Sequence, residues 1–382
     1  MLTLGVQVID TGSILCNVTR QEMYEYLSSA AETLEVKVLC DPNVEFEPAT
    51  GFTGTEKKKK KERSTTTTAT TPTPTGPTLS KLGVDDKFSD RQWNLEAIGA
   101  ESLCCTGGVR GYNFHDNNND TSDVLLDHGT FVAGIIGATT NNTIGLAGIA
   151  DLKMMPINVT NSEGSAPLAE LAKGLNYALD DGAKVSCIAF ASSGPSPVLE
   201  KAIERAAQLG HLVVTAAGNG GRDITQRKRF PCAYTERLDA LCVAGSDERG
   251  RLAHRSNFAS YVDIAAPRTR IWSAGIHNKY FRDSGTSAAT AHVAGVVSLL
   301  YGMDHPLRIV ISALVKVVDV LLDSSGRSLP HFGVVNAKRT VEWAEIMATF
   351  PPTASPKSTT QSVPWTTPTT ASTLSPNFGG RN

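Results

Sequence analysis

Residues 284–295 read Ser284-Gly285-Thr286-Ser287-Ala288-Ala289-Thr290-Ala291-His292-Val293-Ala294-Gly295, and an apolar run continues to about Leu300. A small-residue turn followed by an apolar run predicts a buried helix with Ser287 at its N-terminus. The first N–H groups of a helix have no partner within it, and the helix dipole favours negative charge there. An oxyanion forming beside Ser287 is therefore stabilised before any other residue contributes. A serine that merely caps a core helix gives the same local pattern, so the reading turns on what else the chain carries.

Two upstream stretches supply the rest. Asp127-His128-Gly129-Thr130-Phe131-Val132-Ala133-Gly134-Ile135-Ile136-Gly137 places a histidine at the mouth of a second small-residue, apolar helix. Val213-Val214-Thr215-Ala216-Ala217-Gly218-Asn219-Gly220-Gly221 is an apolar strand ending in a glycine-flanked carboxamide. A serine nucleophile needs a base within hydrogen-bond reach and donors aimed at the developing oxyanion. His128 is the candidate base, and Asn219 with the Ser287 N–H are the candidate donors. Taken singly, His128 also reads as a satisfied core histidine and Asn219 as a turn residue. Chance does not readily supply all three in this order with these flanks.

From about Asp85 to Ala344 the chain resembles the subtilisin-like serine proteases, the subtilases. The His128 stretch is similar to the family's His-Gly-Thr-His-Val-Ala-Gly motif, the Ser287 stretch to Gly-Thr-Ser-Met-Ala-x-Pro-His, and Asn219 to the oxyanion-hole asparagine. Gln92-Trp93-Asn94-Leu95-Glu96-Ala97-Ile98-Gly99-Ala100 resembles the entry to these catalytic domains. Gly174-Leu175-Asn176-Tyr177-Ala178, Ser256-Asn257-Phe258-Ala259, Asp263-Ile264-Ala265-Ala266-Pro267 and Gly333-Val334-Val335-Asn336-Ala337 extend the likeness. The resemblance implies a three-layer α/β fold with a mostly parallel central sheet. It also implies an endopeptidase that acts through an acyl-enzyme on Ser287.

The family's triad aspartate ends an apolar strand between the entry segment and the histidine. Here Ala100 is followed by Glu101-Ser102-Leu103-Cys104-Cys105-Thr106-Gly107-Gly108 and then a Tyr112-Asn113-Phe114 loop, with no strand expected between. Asp116, Asp120, Asp123 and Asp127 fall in polar or loop-like sequence. The literal match, Val6-Gln7-Val8-Ile9-Asp10-Thr11-Gly12, lies 118 positions before His128. Asp10 reads either as a strand residue of an inhibitory propeptide or as a displaced triad member. Two explanations fit the pattern: a segment missing after Leu103, or a degenerate protease. Losing the carboxylate leaves the histidine tautomer unfixed, a defect that in serine proteases of known mechanism lowers turnover on the order of 10⁴-fold. A missing strand would in addition leave a gap in the sheet.

Residues 1–50 read as a small α+β, propeptide-like unit, with a capped helix over 19–27 and a strand over 34–39. Residues 51–84 form a linker containing Lys57 to Lys61, Glu62 and Arg63, which is either a solvated spacer or a processing site. Residues 85–349 form the peptidase domain, and 350–382 a Thr/Pro-rich tail. Such tails bury too little apolar area to fold. Strands near 154–159, 184–190 and 212–217 alternate with helices over 168–179 and 198–209. That alternation argues a parallel sheet covered on both faces. An amphipathic helix is expected over 307–322.

A net charge of −2 gives no reason to expect a nucleic-acid partner. No apolar run reaches the ~18 residues of a membrane span. The expected partners are protein or peptide substrates and the chain's own N-terminal unit. The sequons at Asn17, Asn119, Asn141 and Asn158 and the Thr-rich tracts favour a secreted, extracellular zymogen. Met1 to Ile9 lacks the flanks of a signal peptide, so an exported form would need a longer N-terminus. Of the seven cysteines, Cys232 with Cys242 and Cys16 with Cys40 are candidate pairs, Cys104 and Cys105 adjoin, and Cys187 reads as core.

Cys187-Ile188-Ala189-Phe190-Ala191-Ser192-Ser193-Gly194 is similar to the family's substrate-binding edge strand, where a peptide adds by backbone hydrogen bonds. Ala191 replaces the usual glycine, so a narrower cleft is expected. Ala288 and Ala291 depart from the nucleophile motif. Thr140-Asn141-Asn142-Thr143-Ile144-Gly145-Leu146-Ala147-Gly148 resembles the family's calcium loop, which implies Ca²⁺ ligation by the Asn142 side chain and the carbonyls of Thr140, Ile144 and Leu146. The same residues also read as a plain Gly/Asn turn. The expected function is serine endopeptidase. The rival is a catalytically impaired pseudoprotease or peptide-binding decoy with the same fold. An α/β-hydrolase esterase is disfavoured because no Gly-x-Ser-x-Gly elbow surrounds Ser287.

Overall fold

The computed structural model describes residues 2–8, 37–42, 84–100, 109–122, 127–161, 164–323, 325–329 and 332–349. Asp10, Cys16, Cys104, Cys105, Asp123, the helix expected over 19–27, the lysine run and both Thr/Pro tracts lie outside these residues.

The elements in chain order are β1 (Leu2–Val8), β2 (Lys37–Pro42), α1 (Trp93–Ile98), β3 (Tyr112–Asn113), α2 (His128–Gly137), β4 (Leu152–Asn158), α3 (Leu168–Asp180) and β5 (Ala183–Ala189). There follow α4 (Pro197–Gln208), β6 (Leu212–Ala216), β7 (Ala240–Ser246), β8 (Ile264–Pro267), β9 (Ile271–Gly275) and β10 (Lys279–Asp283). The chain closes with α5 (Thr286–Gly302), α6 (Leu307–Lys316), β11 (Val318–Asp319), β12 (Val334–Val335) and α7 (Ala337–Thr349).

The main sheet runs β1-β4-β2-β5-β6-β7-β8-β12-β11, and β3 pairs with the end of β4. From β4 to β12 the neighbours are parallel, as the βα alternation requires. β5, β6 and β7 read AKVSCIA, LVVTA and ALCVAGS. Such strands carry apolar or small residues at nearly every position because both faces are covered.

The two faces separate cleanly. Val185, Cys187, Ala189 and Val214 pack with Phe131, Ile135 and Ile136 of α2 and Val293, Val296 and Leu300 of α5. Ile188, Phe190 and Val213 pack with Leu171 and Leu175 of α3 and Leu199 and Ile203 of α4. This is the three-layer α/β arrangement with a mostly parallel sheet that the sequence predicts.

Two details differ from expectation. The helix expected over 307–322 ends at Lys316, and Val318 and Asp319 instead pair antiparallel with Val335 and Val334. The gap expected from the missing aspartate strand is occupied, because β2 lies between β4 and β5, parallel to both. β1 runs antiparallel to β4 with Val8 opposite Leu152, and also bridges β5 through Gly5 and Ser186.

Candidate active site

Ser287 is the second residue of α5, whose N-cap Gly285 is extended. It is buried, at 2% exposure, and its N–H is among the first-turn groups that a helix leaves without an intrahelical partner. Its hydroxyl donates to the Ala189 carbonyl over 3.4 Å, which sets the side chain against the last residue of β5. His128 opens α2 and is likewise buried. α2 packs directly on α5, so the histidine-headed and serine-headed helices lie side by side against one face of the sheet.

Asn219 comes from the turn after β6. That turn needs Gly218, whose φ of +94° is strained for any side chain and whose absent Cβ would sit 2.8 Å from Asn257 Nδ2. Asn257 pins the turn by donating its side chain to the Ala217 carbonyl and its N–H to the Gly218 carbonyl. The Asn219 Oδ1 accepts three hydrogen bonds, from the Thr286 N–H at 2.9 Å, the Thr286 hydroxyl at 3.2 Å and the Arg268 Nη2 at 2.9 Å. Three donors on one atom fix which end of the amide is oxygen. The buried Nδ2 is left with no partner among the described residues. A donor held ready in this way suits a charge that forms only during reaction.

The described acids that shortly precede His128 in sequence accept hydrogen bonds from other residues. Asp127 precedes it with a left-handed backbone and accepts from the Ile276 N–H, tying the start of α2 to the β9–β10 hairpin. Asp116 accepts from Asn113 Nδ2 and Asp120 from the Ser122 N–H, both in the loop after β3. These placements agree with reading them as loop residues. In β2, Asp41 stands in register with Ile188 of β5. β1 runs the other way, and Val8 lies at the Leu152 end of β4, opposite the end that leads to Asn158.

The segment after β5 turns toward Phe230, with Ser192 and Phe230 exchanging backbone hydrogen bonds of 2.7 and 2.9 Å. Ala191 is buried, and a methyl built on Gly218 would lie 3.5 Å from its Cβ. The extra methyl that distinguishes this chain therefore lies beside the Asn219 turn.

The loop over 140–148 is held from outside by acids. Asp86 accepts from the N–H groups of Asn141 and Asn142, Asp85 from Thr143, and the Asn142 Oδ1 from Ile144. Desolvation raises the Asp86 pKa against the lowering effect of those N–H groups. An all-oxygen set beside two carboxylates has the donor chemistry of a calcium site, although no cluster of three or more His, Cys, Asp or Glu occurs among the described residues. Elsewhere, Cys232 and Cys242 form a disulfide and Cys187 is a buried free thiol. The Asn158 sequon is spent internally: the side chain is buried, and its Oδ1 accepts from the Thr160 N–H and hydroxyl.

Sequence reasoning missed Arg268 and the part played by Thr286. Thr286 stands within the nucleophile motif itself. Arg268 directly follows the Asp263–Pro267 segment, and a charged residue between two buried strands was the available signal.

Fold and site together define a three-layer α/β protein with a serine-headed helix and a fixed carboxamide over the carboxyl ends of parallel strands. The Subtilase family model matches residues 99–313, more than half of the sequence, and the chain belongs to that family. It is 38% identical over 193 residues to the Thermophilic serine proteinase of Bacillus sp. (strain AK1), covering 50% of this chain and 46% of that one. It is 34% identical over 236 residues to Thermitase of Thermoactinomyces vulgaris, covering 62% of this chain and 81% of thermitase. The crystal structure of a cold adapted subtilisin-like serine proteinase superposes with a TM-score of 0.50 at 27% identity, covering 60% of this chain and 81% of that one. The chain thus spans about half the length of the first relative and most of thermitase.

Proposed function

We propose that the chain is a serine endopeptidase that cleaves peptide bonds in proteins through an acyl-enzyme on Ser287. His128 takes the Ser287 proton as the hydroxyl attacks the scissile carbonyl. The Asn219 Nδ2 and the Ser287 N–H receive the oxyanion. The leaving amine departs with the proton from His128, and water then hydrolyses the ester by the same relay. The observation that carries this reading is the orientation of Asn219, whose oxygen is held by three donors while its nitrogen is left for a ligand.

The hydroxyl's bond to Ala189 does not oppose the reading, because catalytic hydrogen bonds in unliganded sites tighten on substrate binding. Hydrolysis of fluorescein-labelled casein by the wild type, abolished in Ser287→Ala, is the expected result. Binding of casein peptides without turnover would instead establish the pseudoprotease reading. That reading is favoured by one observation: Asp116, Asp120 and Asp127 each accept a hydrogen bond from a residue other than His128. Asp10→Asn and Asp41→Asn identify which N-terminal carboxylate, if either, supports turnover.

The Cys232–Cys242 disulfide supports export to an oxidising compartment. Among the described residues Asn119 and Asn141 are the exposed sequons open to glycans there. Among the described residues no helix is long and apolar enough to cross a membrane. The N-terminal unit acts as a propeptide-like partner that stays seated through β1 and β2, with the basic run over 57–63 as its link to the peptidase domain. A weak structural Ca²⁺ is held by Asn142 with the carbonyls of Thr140, Ile144 and Leu146. It stiffens the loop against Asp85 and Asp86 and takes no part in the chemistry.

A further inference from the structure

Arg268 lies in the link between β8 and β9, is only 5% exposed, and is held at both backbone groups. Its N–H donates to the Ser246 carbonyl, and its own carbonyl accepts from the N–H of Gly285, the N-cap of the nucleophile helix, each over 3.0 Å. Its side chain runs across Gly245, where an added Cβ would come within 2.0 Å of Arg268 Cδ. Only glycine leaves that channel open. The guanidinium ends on the Asn219 Oδ1 at 2.9 Å.

Burying a guanidinium is unfavourable unless it is paired. Buried arginines ordinarily meet a carboxylate. Here the Asp283 carboxylate acts on it through space without a hydrogen bond, the side-chain hydrogen bond among the described residues goes to a neutral amide, and Nε has no hydrogen-bond partner among them. An arginine that merely filled space would not need its charge at that amide.

We propose that Arg268 is a positioning residue of the oxyanion hole: it locks the Asn219 carboxamide with its oxygen on Arg268 and Thr286 and its nitrogen turned away from them, and polarises it, so that Nδ2 donates more strongly to the developing oxyanion. A cation drawing on the amide oxygen makes the amide N–H more acidic, and charge-assisted hydrogen bonds are roughly twice as strong as neutral ones. Burial pulls the arginine's pKa down to about 10, so it stays charged at neutral pH.

This inference rests on the serine-nucleophile reading above, and its test separates the two. The readout is the rate of Ser287 labelling by a fluorophosphonate–rhodamine probe, whose phosphonyl oxygen enters the oxyanion hole. Arg268→Met is expected to slow labelling about 10-fold, a fraction of the ~10²–10³-fold that removal of a whole oxyanion donor brings. In an Asn219→Ala background the same substitution should change the rate less than about 2-fold, because the residue it acts through is gone. Arg268→Lys should recover part of the rate, and casein turnover should fall in kcat with KM held. The cycle is run with Arg268→Lys if the Met variant does not fold.

An equal loss in both backgrounds, or none in either, would overturn the proposal. Failure of the wild type to label would count against the serine-nucleophile reading alone. The positioning claim is then decided by NMR of ¹⁵N-asparagine-labelled protein. It predicts two distinct, slowly exchanging Asn219 amide protons in the wild type that merge or shift in Arg268→Met. Unchanged Asn219 signals would refute it.

Discussion

Asn219 shows how much of a catalytic feature resides in its neighbours. The residue itself was legible because a glycine-flanked carboxamide after an apolar strand is a local pattern. The orientation that makes it useful was not, since it depends on Thr286 and Arg268, 67 and 49 positions away. Asn219→Ala is expected to lower casein turnover ~10²–10³-fold with little change in KM, the loss known for the equivalent donor in subtilisin itself. A steady-state kcat and KM comparison checks it. Asp263 gives a residue-scale prediction on stability. The residue is partly exposed, but its carboxyl is enclosed and accepts from the Cys242 N–H, and desolvation raises its pKa from 3.8 to about 7. A raised acid binds its proton more tightly in the fold than in the unfolded chain, so stability falls as pH rises from about 4 to 7 and is level above that. Asp263→Asn should flatten this slope in urea-melt midpoints measured across the same range. An unchanged slope would show that the carboxyl is ionised throughout.

Among the elements, α2 and α5 were readable because their small and apolar runs are longer than a strand and open on a turn. α6 was overextended because Val317 to Leu322 continues the apolar spacing, while the antiparallel pairing of Val318 and Asp319 with β12 overrides it. The seating of β2 between β4 and β5 was not legible at all, since register between distant strands leaves no local trace. The close fit of α2 on β9 can be tested at Gly134, where a Cβ would lie 2.4 Å from Ser273 Oγ and 3.0 Å from the Ala274 nitrogen. Gly134→Val should destabilise the fold by about 1–3 kcal/mol through overpacking. Because the displaced helix carries His128, labelling of Ser287 should slow as well. Thermal melting with a labelling time course distinguishes this from a purely structural loss, in which labelling of the folded fraction is unchanged.

Among the described residues a ten-stranded sheet with helices on both faces forms the frame, β9 and β10 form a separate hairpin, and the Cys232–Cys242 disulfide ties β7 to the turn before it. Opening that bridge by a Cys232→Ala, Cys242→Ala double substitution should lower stability by roughly 2–3 kcal/mol, the range for so short a closed loop. Millimolar Ca²⁺ should raise Tm relative to chelator, by an amount that grows with ligand concentration as linkage requires. No shift would reduce the loop over 140–148 to a hydrogen-bonded turn. The class of fold was legible from the alternation of strands and helices. What the sequence could not disclose was which N-terminal strand completes the sheet, because that choice is made by tertiary pairing alone. The account stands on one claim, that this frame presents Ser287 as an activated nucleophile. Labelling of the intact chain by a fluorophosphonate, with Ser287→Ala alongside, tests it most directly. The account predicts stoichiometric labelling of the wild type and none of the variant. A folded wild type that does not label, or a variant that labels as well as the wild type, would contradict it.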